Sequence, residues 1–232
     1  MKLNVFYFFP CLIRRFYVFL LELFENDSLK ALFKLPLQDE KKPTYICFRC
    51  GRALSDDFKI CTDCLNRPVF FALDYARHAA FYGMKQKLFI DQWKFKGNRF
   101  FAISAAEKVF EIYKAKFDNL PVVPVPPRKE RLWLAGFDCT DDVVFILKWC
   151  FNVNVQKPLI RIDSEEQKHK TFAGRTDKSK KRYALRQGCK INQEAVVLID
   201  DIMTTGGTLE ECAALLKSAG AKQVYALTLF YA

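Results

Sequence analysis

The chain has 232 residues and a formal net charge of +11, with 37 Lys and Arg against 26 Asp and Glu. Hydrophobic residues make up 51% of it, and Gly and Pro number only 9 each, which excludes disordered, low-complexity and collagen-like chains. The length suffices for one sizeable core, or for a core with a small added module. The positive charge favours polyanionic partners: phosphates, nucleic acid or an anionic membrane surface.

Residues 1–43 are predicted to form a hydrophobic helical extension. Apolar side chains recur there at three- and four-residue steps, as in an amphipathic helix: Phe6, Phe9, Leu12, Ile13, Phe16, Phe19, Leu20 and Leu23. Arg14 and Arg15 interrupt the run, so neither half is long enough to span a bilayer, and we do not expect an integral membrane protein. The stripe packs on the main domain or a partner subunit, or it lies on a membrane surface.

A four-cysteine module follows at residues 44–67. Cys47 and Cys50, then Cys61 and Cys64, form two CxxC pairs separated by ten residues. Two such knuckles can place four thiolates around Zn²⁺, and Gly51 suits the left-handed turn after the second ligand. We predict a structural zinc site, with a redox-active dithiol as the less favoured alternative. Nine cysteines without a recognisable secretory signal indicate reduced thiols and a cytoplasmic location, with peripheral contact at the inner face of the membrane as a further possibility.

Residues 68–232 alternate short apolar runs with longer amphipathic ones, which is typical of an α/β domain with an open, mainly parallel sheet flanked by helices. Strands are predicted at 69–75, 121–125, 158–162, 195–200 and 223–230, and helices at 84–95, 98–116, 141–151 and 208–219.

The most informative motif begins in the strand predicted at 195–200. Asp200 and Asp201 end that run, and a Thr/Gly loop then opens a helix: Thr204, Thr205, Gly206, Gly207 and Thr208. Glycines let the backbone approach a phosphate, the hydroxyls donate hydrogen bonds, and the helix N-terminus adds partial positive charge. A P-loop would need a Lys before its Ser or Thr, and a dinucleotide fingerprint would need G-x-G-x-x-G; both are absent.

This motif resembles the phosphoribosyl pyrophosphate (PRPP) motif of the type I phosphoribosyltransferase family. The resemblance implies a phosphoribosyltransferase-like domain at 68–232, in which residues 204–208 hold a 5′-phosphate. It also implies that Asp200 and Asp201 are the catalytic carboxylates, which contact the ribose hydroxyls and stabilise positive charge on the sugar. Arg128 and Lys129, in the loop after the 121–125 strand, would neutralise the pyrophosphate of PRPP, with magnesium bound alongside.

The chain also resembles the ComF family of competence proteins, from about Tyr45 to its end. The resemblance is carried by the four cysteines ahead of the domain, by Phe81-Tyr82-Gly83, Lys94-Phe95-Lys96-Gly97 and Pro124-Val125-Pro126, and by Gly136-Phe137. Ala135 and Asp138 depart from the Arg-Gly-Phe-Asn of that family. The resemblance implies a role in natural transformation, in which the protein handles or imports single-stranded DNA, with competence machinery at the inner membrane as a partner.

Residues 163–190 correspond to the flexible hood that covers such sites in phosphoribosyltransferases. From 157 to 190 there are eleven Lys and Arg against four acids, a density that neutralises several phosphates at once. Candidate nucleic-acid contacts are Lys170, Arg175, Lys178, Lys181 and Arg182, and Phe172 and Tyr183 could stack bases. The plainer interpretation is a solvated loop.

Two classes of function stay open at this point. The chain is either a DNA-handling competence protein with a site for PRPP or another 5′-phosphorylated ligand, or a Mg-dependent phosphoribosyltransferase on an unidentified acceptor. A PRPP-sensing regulator is a variant of the first. Whether the chain catalyses a reaction is undecided, because no acceptor pocket or general base can be identified in the sequence.

Overall fold

The computed structural model describes residues 43–66, 70–162 and 182–232, without the side chains of 129–131. Almost all of the predicted N-terminal extension therefore lies outside the described residues. So do four of the five predicted nucleic-acid contacts, Lys170, Arg175, Lys178 and Lys181, together with Phe172.

The described elements follow one another as a small hairpin and helix and then an alternating α/β domain. In chain order they are β1 (Tyr45–Ile46), β2 (Ala53–Leu54), α1 (Thr62–Asn66), β3 (Tyr75–Phe81), α2 (Met84–Ile90) with a π-helical continuation (Asp91–Phe95), α3 (Phe101–Lys116), β4 (Val122–Pro124), α4 (Lys129–Ala135), α5 (Cys139–Trp149), β5 (Leu159–Arg161), β6 (Tyr183–Leu185), β7 (Ala195–Met203), α6 (Gly207–Ser218) and β8 (Gln223–Tyr231).

Four parallel strands form the central sheet in the order β3-β8-β7-β4. The central strands β7 and β8 pair from Ala195 with Gln223 to Met203 with Tyr231. Val196 to Ile199 are all buried, as expected for a parallel strand with both faces covered. One face packs on α3 and α5 around Trp93 and Leu147, and the other on α6 around Leu216. The predicted α/β class with a parallel sheet is confirmed.

The prediction of a strand at 69–75 is wrong, because the edge strand β3 begins only at Tyr75. The backbone just before it is hydrogen-bonded in another way. The backbone N–H groups of Phe71, Ala72 and Leu73 donate to the carboxylate of Glu210, at 2.8, 2.7 and 2.9 Å. That single side chain satisfies the donors that a strand would direct to its neighbour.

The other predicted strands and helices appear within a few residues of their expected bounds. The strand predicted at 158–162 is an exception in its pairing, because β5 joins β6 in a separate antiparallel pair. Within the described ranges, no helix is both long enough and apolar enough to cross a bilayer.

Candidate functional site

The two acids of the motif lie near the carboxyl end of β7. The N–H of Asp201 donates to Asp200 Oδ1 at 2.9 Å, and the N–H of Ile202 donates to Asp201 Oδ1 at 2.8 Å. Burial raises the pKa of Asp200 well above its usual range, and the neighbouring charge of Asp201 raises it further. Asp200 is therefore biased toward the neutral acid, while Asp201 has a cationic partner.

That partner is Lys94, whose Nζ pairs with Asp201 Oδ2. Only 12% of the Lys94 side chain and 15% of the Asp201 side chain are exposed. Lys94 follows the fully buried Trp93 in the π-helical continuation of α2. Lys94 could not be recognised from sequence as a neighbour of the acids, because the two partners are 107 residues apart and no periodicity links them.

The Thr/Gly loop, residues 204–208, connects β7 to α6. Gly206 has φ of +79°, and a Cβ at this position would overlap the ring of Phe70, with Cζ at 2.7 Å. Left-handed backbone and close packing together explain why glycine stands here. The carbonyl of Gly206 accepts the Glu210 N–H at 2.9 Å, the first bond of α6. Thr204, Thr205 and Gly207 are exposed.

A cavity of about 290 Å³ opens beside the acids and the end of this loop. It is lined by Lys94, Val125, Pro126, Pro127, Arg128, Asp138, Thr140, Arg161, Arg182, Tyr183, Asp200, Asp201, Ile202 and Thr208. Four cations thus face three acids, so the lining has an excess of positive charge while Asp200 is neutral. Five of the predicted site residues line this cavity: both acids, Thr208, Arg128 and, from the hood, Arg182. Thr204 to Gly207 precede Thr208 in the same loop. The side chain of Lys129 lies outside the described part.

Arg161 belongs to the basic stretch 157–190 and shares one wall of the cavity with Arg182 and Tyr183. Its Nη1 donates to the Tyr183 hydroxyl at 2.8 Å, and its guanidinium lies 5.1 Å from the ring centroid. Arg182 pairs with Glu211 at 2.9 Å. Because Tyr183 is only 3% exposed, the expectation that its ring stacks a base is wrong. Its contacts are with α6 and the two arginines.

Asp138 replaces the amide that the resemblance leads one to expect, and its role is local. Its buried carboxylate accepts the N–H of Thr140 at 2.9 Å and the N–H of Asp141 at 3.2 Å, which caps the N-terminus of α5. Aspartate is as effective an N-cap as asparagine. The substitution keeps the helix start and adds an acid to the cavity wall.

The four predicted metal ligands come together in the hairpin and helix before the sheet. The Sγ atoms of Cys47, Cys50, Cys61 and Cys64 all lie within 4.8 Å of one another, and all four residues are buried. Four clustered thiols are the donor set of a closed structural site. This cluster could hold a zinc ion.

The cysteine cluster contacts the central sheet through His78 of β3. The Nε2–H of His78 donates to the Cys50 carbonyl at 2.6 Å, and Nδ1 lies 2.7 Å from Thr228 Oγ1 of β8. Burial lowers the pKa of His78 to about 4, so the imidazole is neutral. Gly51 has φ of +71°, and a Cβ there would meet His78 Nε2 at 2.7 Å.

The parallel sheet, the acid pair at the end of β7 and the Thr/Gly loop at the start of α6 define a phosphoribosyltransferase-type α/β domain. Comparison with protein families agrees: residues 138–232 match the phosphoribosyl transferase domain. Among solved structures, a hypoxanthine phosphoribosyltransferase from Staphylococcus aureus matches with 17% identity and a TM-score of 0.32. That match covers 55% of this chain and 60% of the other. No curated protein matches the chain.

Proposed function

We propose that this chain binds PRPP, or another 5′-phosphorylated ribose ligand, in the cavity beside β7. One observation carries the proposal: paired acids stand next to a Thr/Gly loop at the N-terminus of the 12-residue helix α6. Backbone N–H groups and the helix dipole attract a phosphate. Carboxylates would repel that phosphate but accept hydrogen bonds from sugar hydroxyls.

In this proposal residues 204–208 bind the 5′-phosphate, and Asp200 and Asp201 accept from the ribose hydroxyls. Arg128, with Lys129 beside it in sequence, binds the anionic group on the other side of the sugar. Because Asp201 already pairs with Lys94, magnesium belongs here only as an ion that neutralises the diphosphate of PRPP. The four cysteines hold a structural zinc in a module at 44–67, ahead of a domain at 68–232.

We further propose that the biological ligand is part of single-stranded DNA handled during natural transformation, as the ComF resemblance implies. The formal charge of +11 and the three arginines of the cavity, Arg128, Arg161 and Arg182, support a polyanionic partner. Lys170, Arg175, Lys178 and Lys181 are the further contacts expected from sequence. Competence machinery at the inner membrane is the corresponding partner.

A phosphoribosyl transfer reaction is the second candidate, and the acid pair itself favours it. In such a reaction the bond from C1 of the ribose to the diphosphate breaks, the diphosphate leaves with the bonding electrons, and an acceptor forms the new bond. Asp200 and Asp201 would stabilise positive charge on the sugar as that bond breaks. Release of diphosphate from PRPP in the presence of candidate acceptors tests this directly.

Calorimetric titration tests the main proposal. Zinc-loaded protein is titrated with PRPP and Mg²⁺, with ribose 5-phosphate, and with ribose as the ligand without phosphate, at two salt concentrations. Arg128→Met is compared with Arg186→Met, an exposed arginine outside the cavity lining. We expect both phosphorylated ligands to bind and ribose to fail. Arg128→Met should lose more affinity for PRPP than for ribose 5-phosphate, and Arg186→Met should match the wild type.

Competition separates the two candidate ligands. A 5′-phosphorylated single strand and the same strand with a 5′-hydroxyl are titrated alone and against PRPP. Mutual displacement that requires the 5′-phosphate supports DNA binding in the cavity. DNA that binds without displacing PRPP leaves the ribose phosphate site intact but contradicts its use by DNA. Absence of binding by PRPP and ribose 5-phosphate would refute the proposed function.

A further inference from the structure

We propose that Arg49, between the first two cysteines, and Glu210 of α6 are positioning residues for the Thr/Gly loop, and that the cysteine module thereby prepares the ligand site. The inference rests on the proposed function for the identity of the ligand. It assigns the module a purpose beyond its own folding. Three consecutive contacts between the module and the loop carry it.

The contact nearest the loop is between Phe70 and Gly206. Phe70 is 2% exposed, and its ring lies so close to Gly206 that no Cβ fits between them. Gly206 is also the residue at which the backbone turns into α6. A displacement of Phe70 would therefore leave a void under the loop or allow the turn to change.

The next contacts hold Phe70 itself through its neighbouring backbone. The Glu210 carboxylate accepts three consecutive N–H groups, from Phe71 to Leu73. On the other side, Arg49 Nη2 donates to the Phe70 carbonyl. Hydrogen bonds that involve a charged group are stronger than those between neutral groups. The segment that supports Gly206 is thus fixed from α6 and from the cysteine module.

The last contacts fix Arg49. Its carbonyl accepts the Ala76 N–H of the edge strand β3 at 2.7 Å, and the Gly51 N–H donates to the Cys47 carbonyl at 2.9 Å across the same turn. Cys47 and Cys50 flank Arg49 in sequence and belong to the thiol cluster. Because a metal held by four thiols restrains the backbone between its ligands, metal binding orients Arg49 toward Phe70.

The alternative is that Arg49 only attaches the module to the domain, and Arg52 provides the matched control for it. Arg52 Nε donates to the Tyr231 hydroxyl of β8 at 2.9 Å, and its Nη1 pairs with Asp63. It therefore joins the same module to the same sheet through a different contact. Both arginines dock the module, but only Arg49 contacts the segment under Gly206 in the described structure.

The experiment compares Arg49→Met, Arg49→Lys and Arg52→Met in the full chain. Binding of ribose 5-phosphate is measured by calorimetry, and hydrogen exchange is measured for the amides of 204–208. We expect Arg49→Met to weaken binding about tenfold and to accelerate loop exchange, the scale of one lost charged hydrogen bond. Arg49→Lys should recover part of the affinity, because an ammonium can also donate to the Phe70 carbonyl. Arg52→Met should stay within about twofold of the wild type.

Removal of zinc with a chelator adds a second arm. In the wild type it should weaken ribose 5-phosphate binding by a similar factor, and in Arg49→Met it should add little, because both changes break the same connection. Reloading with zinc should restore the wild type. Equal effects of Arg49→Met and Arg52→Met, or full additivity with zinc removal, would overturn the inference. If the wild type binds no ribose 5-phosphate, the proposed function fails, while the exchange rates still decide whether Arg49 positions the loop.

Discussion

Substitution of Gly206 by alanine tests the account of the Thr/Gly loop. The glycine has φ of +79°, in the left-handed region, and an added Cβ would lie 2.7 Å from Phe70 Cζ. Phe70 cannot move aside easily, since Arg49 and Glu210 hold its segment. Gly206→Ala therefore combines backbone strain with overpacking at one position.

The expected cost follows from those two terms. Left-handed backbone costs a non-glycine residue about 1–2 kcal/mol, and overpacking a well-filled interior costs about 1–3 kcal/mol. We expect Gly206→Ala to lower the free energy of unfolding by about 3 kcal/mol. For a chain of this length that corresponds to a melting temperature about 10 °C lower.

Chemical and thermal unfolding of the zinc-loaded chain measures the effect, with Gly207→Ala as the control. Gly207 is the first residue of α6, and a Cβ there meets only Thr205 Oγ1, at 3.8 Å. Alanine is the better helix former, so Gly207→Ala should be neutral or stabilising by about 0.5–1 kcal/mol. In a Phe70→Ala background, Gly206→Ala should cost less, because the overlap is gone.

Equal stability of Gly206→Ala and Gly207→Ala would refute this reasoning. A Gly206→Ala cost that is unchanged in the Phe70→Ala background would refute the contact with Phe70 and leave the backbone strain as the whole effect.

Three further predictions concern the cations, acids and thiols of the two sites. Lys94→Met should destabilise the chain by about 3 kcal/mol, because it leaves Asp201 without its buried cation, whereas Lys96→Met should be neutral; adding Asp201→Asn should restore stability in unfolding experiments. The folded-state pKa of Asp200 is raised, so the folded state favours the protonated acid. The contribution of Asp200 to the free energy of unfolding is therefore complete below the unfolded pKa of about 4 and is lost as the pH rises through the folded value. Relative to Asp200→Asn, the wild type should lose stability from pH 4 upward, and parallel curves would contradict this. Atomic absorption should find one zinc per wild-type chain and less in Cys61→Ser, whose melting temperature should also fall; equal zinc content would exclude the cysteine site.

Features encoded within short stretches of chain could be predicted from sequence. The cluster of Cys47, Cys50, Cys61 and Cys64 follows from two CxxC pairs within 18 residues. The β7, loop and α6 unit follows from an apolar run, two acids and a Thr/Gly turn in direct succession. Alternating strands and helices then define the parallel sheet, because crossover connections allow few other arrangements.

Contacts between distant residues could not be predicted in this way. Lys94 reaches Asp201 across 107 residues, and Glu210 accepts the N–H of Leu73 across 137. The predicted first strand began too early because the backbone N–H groups of residues 71–73 donate to Glu210 and not to a neighbouring strand. A distant carboxylate that accepts backbone N–H groups in place of a neighbouring strand produces no recognisable pattern in the sequence.

The sequence by itself determined which residues form the thiol cluster and which form the unit of paired acids and Thr/Gly loop. Both patterns are short and specific, because their members are close together along the chain. Only the tertiary structure decided how those groups are charged and supported. Three features depend on what lies beside each group in space: the raised pKa of Asp200, the ion pair between Lys94 and Asp201, and the burial of Tyr183. Electrostatic and packing energies depend on distance and burial, and neither can be obtained from the order of residues along the chain.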